Sequence, residues 1–337
     1  MITEIIKSGD YLAYIFAFLM GFSMLIYAVL DGYDLGVGIL TRNVRDEEKD
    51  KMIASIGPFW DANETWLVLG IGILLSAFPK AYGIILSNLY LPATLMLIGL
   101  IFRGVAVDFR AKVQAEKKKF WNHIFFIGSF LTAFMQGYML GSYILGFEKN
   151  LLALLFSILV GISVVGGYSL MGACWLIMKS EHDLQIKAVK WAKFSLILTV
   201  IGIVLVSVAT PIVSERIFAK WFSFPEFFML APIPVITAIV IIMAYLSLRV
   251  LPYKDDRFCW MPFSLVVSIF ILCFHGLAYS FYPYIVPNML TIVESASARE
   301  SLLMILFGVM IVLPALIFYT FFAYRIFHGK SVDLKYD

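Results

Sequence analysis

Long apolar stretches recur along the whole chain, and they constrain its fold more than any other feature. A stretch of about 20 apolar residues is enough for a helix to cross the hydrocarbon core of a bilayer. We predict nine such spans, with the approximate limits Tyr11–Leu40, Ile53–Ala77, Ala81–Val105, Asn122–Gly146, Leu151–Met178, Trp191–Ile212, Phe227–Val250, Phe258–Tyr282 and Leu302–Phe327. Because that core offers backbone groups no water, spans of this kind are helices. The sequence therefore predicts an all-α, polytopic membrane protein, built as a single integral membrane domain over residues 1–337.

The composition agrees with this class of protein. Hydrophobic residues make up 61% of the chain and charged residues 15%, and the mean hydropathy is +0.90; soluble domains carry about 25% charged residues. No basic cluster is interleaved with aromatic residues, which argues against a nucleic-acid partner. Cys174, Cys259 and Cys273 lack C-x-x-C spacing and indicate helix packing. The N-terminus shows no basic segment followed by a cleavage site, so we expect the first span to be retained.

Basic residues are concentrated in alternate loops. Most of the 26 lysines and arginines fall on one side of the predicted bundle, and the positive-inside rule makes that side cytoplasmic. We therefore expect the N-terminus outside and the C-terminus in the cytoplasm. The longest connection, about Ala106 to Trp121, is basic, and we interpret it as a solvated loop near anionic head groups. The spacings Gly32/Gly36 and Gly137/Gly141 predict close helix–helix contacts.

Charged residues within or beside the first three predicted spans are the candidate site of the chain. They are Asp31, Asp34, Asp61, Glu64, Arg103 and Asp108. An i, i+3 spacing places the first two on one face of span one, and the next two on one face of span two. The helical rise puts Asp34 and Asp61 at a similar depth, within a turn or two of Arg103. We expect spans one to three, about residues 11–110, to form a charged layer in the cytoplasmic half of the membrane. Asp108 should lie near the inner end of span three.

Charge inside a span is expensive, at about 2.5–3.5 kcal/mol per residue on translocon scales, and it marks a functional candidate. Three interpretations stay open for this layer. The carboxylates could pass protons from the cytoplasm, because neighbouring charges spread their pKa values. They could instead pin helices together or anchor a partner, or their oxygens could bind a hard metal cation, although the spacing demands none.

A proton-coupled secondary transporter is an alternative of a different functional class, since intramembrane carboxylates suit it equally well. Transporters often contain inverted repeats with interrupted helices in matching positions of two halves. The motifs "DGYD" and "WDAN" have no second copy in the later spans, which argues against that alternative.

Histidine is scarce where a haem would need it. Of His123, His182, His275 and His328, only His275 lies well inside a predicted span. A bis-His haem requires two intramembrane histidines on facing helices, and scattered methionines are more simply packing residues. We therefore predict no haem in this chain, and no catalytic, cofactor-binding or metal site that is complete within it.

Four motifs together resemble a known family. "AVLDGYDLGVGILTR", "SIGPFWDANETWLV", "FRGVAVDFR" and "YSFYPYIVPN" resemble subunit II of cytochrome bd-type quinol oxidases, including the cyanide-insensitive branch. The resemblance implies a heterodimer in the bacterial cytoplasmic membrane with subunit I. That partner carries two b-type haems, a d-type (or further b-type) haem and the quinol-oxidising loop. The complex oxidises quinol and reduces dioxygen to water with cytoplasmic protons.

The resemblance also implies roles for particular residues. Subunit II carries no haem, and its acidic residues are implicated in a proton route. Carried over by motif, these are Asp34 in "DGYD", Asp61 in "WDAN" and Arg103 in "FRG"; Asp31 and Glu64 follow by geometry. Glu64 stands where some relatives have glutamine, which adds an ionisable group. Further expected partners are membrane lipids, the quinol pool, small single-span accessory subunits and a structural quinone.

Overall fold

The structure is a computed structural model that describes residues 10–253 and 256–331. Its helices are α1 (Tyr11–Leu40), α2 (Asp46–Ile56), α3 (Trp60–Ala77), α4 (Pro79–Lys112), α5 (Ala115–Ile144), α6 (Leu151–Lys179), α7 (His182–Val213), α8 (Glu215–Phe222), α9 (Glu226–Leu230), α10 (Pro232–Val250), α11 (Met261–Phe281), α12 (Ile292–Ser295) and α13 (Arg299–Ile326). A short hairpin of β1 (Tyr284–Val286) and β2 (Leu290–Thr291) precedes α12.

Eight helical segments among the described residues are long and apolar enough to cross a membrane. They are α1, α4, α5, α6, α7, the α9–α10 pair, α11 and α13. Each corresponds to one predicted span, and the first matches it at both ends. The prediction of an all-α polytopic membrane protein is confirmed.

The second predicted span differs from the structure. The prediction of a continuous helix over Ile53–Ala77 is wrong, because α2 ends at Ile56 and α3 begins only at Trp60. Pro58 lies in the break, and proline has no N–H to continue the helical hydrogen-bond ladder. The polar residues at the start of α3, which include Asp61 and Glu64, lower the mean hydropathy of this helix. As a result, α3 is not among the eight apolar segments.

Helix α3 nevertheless runs antiparallel along α1. Near one end, Asn63 of α3 donates a 2.8 Å hydrogen bond to Asp34 of α1. Near the other end, Ala77 packs in one apolar cluster with Leu12 and Phe16 from the start of α1. The helix therefore occupies the same layer as the apolar spans and places its polar first turn beside the end of α1.

The basic connection between α4 and α5 is almost entirely helical. Helix α4 continues to Lys112 and α5 begins at Ala115, so the interpretation of residues 106–121 as a loop is wrong. The physical reason is composition, because lysine, arginine, glutamate and alanine are strong helix formers. Basic residues in the last turn of α4 also interact favourably with its dipole.

Small residues bring the central helices into close contact. Residues 31–38 of α1 are all buried. A Cβ on Gly36 would lie 1.8 Å from the backbone oxygen of Tyr168 on α6. Elsewhere along α6, a Cβ on Gly137 of α5 would lie 2.7 Å from the oxygen of Val160. The predicted glycine contacts are confirmed, and they pack α1 and α5 closely against α6.

Candidate functional site

Arg103 is the centre of a buried ion-pair cluster contributed by three helices. Its side chain, on α4, is fully buried at 0% exposure. Nη1 pairs with Asp31 Oδ1 of α1, and Nη2 pairs with Glu64 Oε1 of α3. The indole ring of Trp60 lies 6.0 Å from the guanidinium carbon. A guanidinium can bridge two carboxylates because its donors form a rigid planar fork. The structure thus brings Asp31, Glu64 and Arg103 together.

Asp34 lies in the same layer but bonds a different set of groups. Its buried Oδ2 accepts a 2.8 Å hydrogen bond from Asn63 Nδ2. The same amide nitrogen lies 3.0 Å from the hydroxyl of Tyr33, which is 2.5 Å from the hydroxyl of Tyr324 on α13. Tyr324 in turn donates to Asn63 Oδ1 at 3.2 Å. A second polar branch therefore leads from Asp34 to the last span.

A third polar branch leads from α1 toward α5 and α6. Tyr27 lies one helical turn from Asp31 on α1, and its hydroxyl accepts a 2.7 Å hydrogen bond from Gln136 Nε2 of α5. Tyr168 of α6 donates to Gln136 Oε1, also at 2.7 Å. These residues are missing from the sequence-based prediction. The signal that could have found them is a lone glutamine inside an otherwise apolar span.

Three buried polar atoms of the cluster have no hydrogen-bond partner among the described protein groups. They are Asp31 Oδ2, Asp34 Oδ1 and Arg103 Nε. Buried polar atoms in folded proteins are nearly always satisfied, and ordered water serves where protein groups do not. Water bound between these fixed charges would satisfy the unpaired atoms.

Asp61 and Asp108 lie outside the buried cluster. Both side chains are exposed in the isolated chain, and within the described ranges neither forms an ion pair. Asp61 precedes Glu64 by one helical turn, and the Glu64 side chain is 27% exposed, so exposure falls from Asp61 through Glu64 to Arg103. Asp108 is five residues beyond Arg103, about 140° around the axis of α4. It therefore points away from the cluster.

No group of three or more His, Cys, Asp or Glu residues is placed to hold a metal ion in the described parts of the chain. His275 is exposed, and its Nδ1 lies 2.8 Å from the backbone oxygen of Ile271 on its own helix. This nitrogen is therefore engaged within α11.

Comparisons with known proteins agree with these features. Residues 12–327 match the family of cytochrome bd terminal oxidase subunit II. Cytochrome bd-I ubiquinol oxidase subunit 2 of Escherichia coli K12 is 26% identical over 368 aligned positions, covering 95% of each chain. Cytochrome bd ubiquinol oxidase subunit 2 of Bacillus subtilis 168 is 34% identical over 192 aligned positions, covering 53% of this chain and 55% of that one.

A solved structure has the same fold. A chain of the bd oxidase from Geobacillus thermodenitrificans superposes with a TM-score of 0.75 and 18% identity, over 94% of this chain and 98% of that one. Together with the match that extends from residue 12 to residue 327, these findings identify the chain as a member of the cytochrome bd terminal oxidase subunit II family.

Proposed function

We propose that this chain is the non-haem subunit of a quinol:dioxygen oxidoreductase in a bacterial cytoplasmic membrane. It would scaffold a haem-bearing subunit I and carry cytoplasmic protons toward the site of oxygen reduction. Family membership and the names of the relatives support the oxidase assignment. The positive-inside orientation would put the Arg103 layer in the inner half of the membrane. Among the described histidines, His123 lies in α5 and His275 in α11, and the Nδ1 atom of each lies within 2.8 Å of a backbone oxygen of its own helix.

The observation that carries the proton-path proposal is the sharing of one guanidinium among several buried carboxyl groups. Arg103 pairs with Asp31 and Glu64, and Asp34 is buried in the same layer. If all three carboxyls were ionised, the layer would hold uncompensated negative charge at high energetic cost. A proton retained by the layer can offset that charge, and several acceptors lie close enough to exchange it.

A route follows from the gradient of exposure. Asp61, at the exposed start of α3, would take up a proton and pass it one turn along the helix to Glu64. From there it would reach Asp31 through water bound at the unsatisfied atoms of the cluster. The Asn63–Tyr33–Tyr324 branch would hold Asp34 in place. Asp108 stays a second exposed candidate for proton capture, with no described contact to the cluster.

The first experiment tests the oxidase assignment. The chain is purified from native membranes with its partners. We expect a second, haem-bearing polypeptide to copurify, together with quinol-dependent oxygen consumption. A colourless preparation that is complete as a single chain would contradict the proposal and favour a transporter.

The second experiment tests the proton path. Asp61→Asn removes the ionisable group while leaving an exposed side chain of nearly the same size. We expect normal assembly and an unchanged haem spectrum, with oxygen turnover reduced by about tenfold or more. Glu47→Gln on α2 is the matched control, because Glu47 is exposed and has no described partner. Full turnover in Asp61→Asn would contradict a role of Asp61 in proton transfer and leave it only a structural role. Failed assembly would favour the alternative in which the carboxylates hold helices together.

A further inference from the structure

We propose that a groove beside the end of α1 binds an anionic phospholipid, with its phosphate at Arg42 and an acyl chain along the neighbouring aromatic residues. Two adjoining cavities of about 270 and 330 Å³ form this groove. Both are lined by Arg42 and Phe126, so they are parts of one surface feature. We call it the Arg42 groove. It is separate from the Arg103 cluster, whose residues line neither cavity.

The mouth of the Arg42 groove is cationic. Arg42, Lys49 and His123 line the first cavity. The Arg42 guanidinium lies 5.2 Å from the centre of the Phe126 ring and is exposed. It has no carboxylate partner in the described part of the chain. A free guanidinium fork matches the geometry of a phosphate group.

Three of the four carboxylates of α2 pair with cations other than Arg42, and the fourth, Glu47, is exposed and has no described contact with Arg42. Asp46 pairs with Lys49 at 3.0 Å, Glu48 with Lys187 at 2.6 Å, and Asp50 with Arg110 at 2.5 Å. The positive charge of Arg42 therefore remains for a ligand to neutralise. An anionic ligand is complementary to the mouth, whereas a neutral lipid or a quinone leaves that charge unpaired.

The remainder of the groove is apolar. Phe130 and Trp191 line the second cavity together with Phe126 and apolar residues at the end of α1. The Phe126 and Phe130 rings stack with centroids 6.1 Å apart. These residues belong to helices that are apolar enough to span a membrane. An acyl chain fits this surface, and only a ligand with both a phosphate and an acyl chain uses the whole groove.

The test is native mass spectrometry of the purified complex, with phosphatidylglycerol as the probe. We expect the wild-type complex to retain one phosphatidylglycerol through delipidation, and to rebind it in preference to phosphatidylcholine. Arg42→Gln is expected to weaken retention about fivefold, the effect of one cation near a lipid surface. Arg249→Gln is the matched control. Arg249 also lies over an aromatic ring, 5.3 Å from the centre of Tyr245, but lines neither cavity.

Several outcomes would overturn the proposal. Equal retention by Arg42→Gln and Arg249→Gln would exclude the Arg42 groove as the site. Equal rebinding of phosphatidylcholine would exclude a requirement for anionic charge. Full competition by inorganic phosphate would show that the mouth binds a free anion without an acyl chain. Failure of the delipidated wild-type complex to rebind phosphatidylglycerol would also overturn it, and this measurement does not depend on a variant. Oxygen turnover is not the readout, so the result is independent of the proposed proton path.

Discussion

At the scale of single residues, Arg103 is the group on which the buried cluster depends. Its two terminal nitrogens are engaged by carboxylates from different helices, and its side chain is inaccessible. A lysine could not replace it equally, because an ammonium group lacks the planar fork that serves two acceptors at once. The arginine therefore sets both the charge of the layer and the spacing of α1, α3 and α4.

Removing the guanidinium is expected to be strongly destabilising. Arg103→Gln leaves Asp31, which is 1% exposed, as a buried carboxylate without its cation, at a cost of about 3–5 kcal/mol. The measurement is the apparent melting temperature of the purified complex in detergent. The double variant Arg103→Gln/Asp31→Asn should recover part of the loss, because it no longer buries that charge. A double variant as unstable as the single one would contradict this explanation.

The sequence predicted a layer of six charged residues, and the structure brings together only part of it. Asp31, Glu64 and Arg103 meet beside Asp34, whereas Asp61 and Asp108 are exposed, and the neutral members were not predicted. Asp31, Glu64 and Arg103 could be predicted to meet because charge inside a span is costly and the helical rise gives each residue a depth. Asn63 and Gln136 carry no such signature, since a neutral polar group is satisfied by any nearby partner. Their contacts depend on which face of each helix points inward and on which helices pack together, and the hydropathy pattern determines neither.

At the scale of elements, the same limit explains the differences in helix boundaries. Apolar length predicted where the spans lie, and α1 matches its prediction at both ends. Hydropathy could not show that α4 continues as a helix to Lys112, because solvated basic residues lower hydropathy while favouring helix. The β1–β2 hairpin was also missed. Its strands are only three and two residues long, too short for an alternating pattern to be recognised.

Close packing of α1 against α6 predicts that Gly36 does not tolerate a side chain. In Gly36→Ala the new methyl group would meet the Tyr168 backbone oxygen at 1.8 Å, so the two helices must separate. We expect a clear fall in the melting temperature and in the yield of assembled complex. Gly83→Ala in α4 is the matched control, because its Cβ would meet nothing within 4 Å. That control should be neutral or slightly stabilising, since alanine favours helix over glycine. Equal effects of the two substitutions would refute the packing argument.

The contact between α2 and α7 predicts a pH dependence. Glu48 accepts a hydrogen bond from Lys187, which holds the pKa of the Glu48 carboxyl below its usual range. A depressed folded-state pKa contributes stability above the unfolded value of about 4.3, and that stability is lost as the pH falls through the folded value. The melting temperature of the Glu48→Gln variant should therefore be lower than that of the wild type at pH 7.

The gap between the two melting temperatures should narrow as the pH is lowered through the range in which Glu48 titrates. Glu47→Gln, which removes an exposed neighbour with no described partner, should show no such gap at any pH. If the difference for Glu48→Gln stayed constant from pH 7 to about pH 4, the ion pair would not be its cause.

At the scale of the whole molecule, we predict that the haem-bearing partner subunit docks on the outward face of α3. The exposed positions Asp61, Thr65, Val68 and Leu75 recur at helical spacing along this face. A carboxylate that faces hydrocarbon is costly, so a lipid-facing position is unfavourable for Asp61. Contact with the haem-bearing subunit would cover this face and connect Asp61 and Glu64 to the site of oxygen reduction.

A photo-crosslinking amino acid at Val68 tests this arrangement. Val68 is 70% exposed in the isolated chain, and Ile162 on α6, at 60% exposure, is the matched control. If the outward face of α3 meets subunit I, irradiation of the assembled complex should give a two-subunit adduct from position 68. Position 162 should give adducts with lipid alone. The reverse pattern would place the partner beside α6 and contradict the proposed proton path from the Arg103 cluster to that partner.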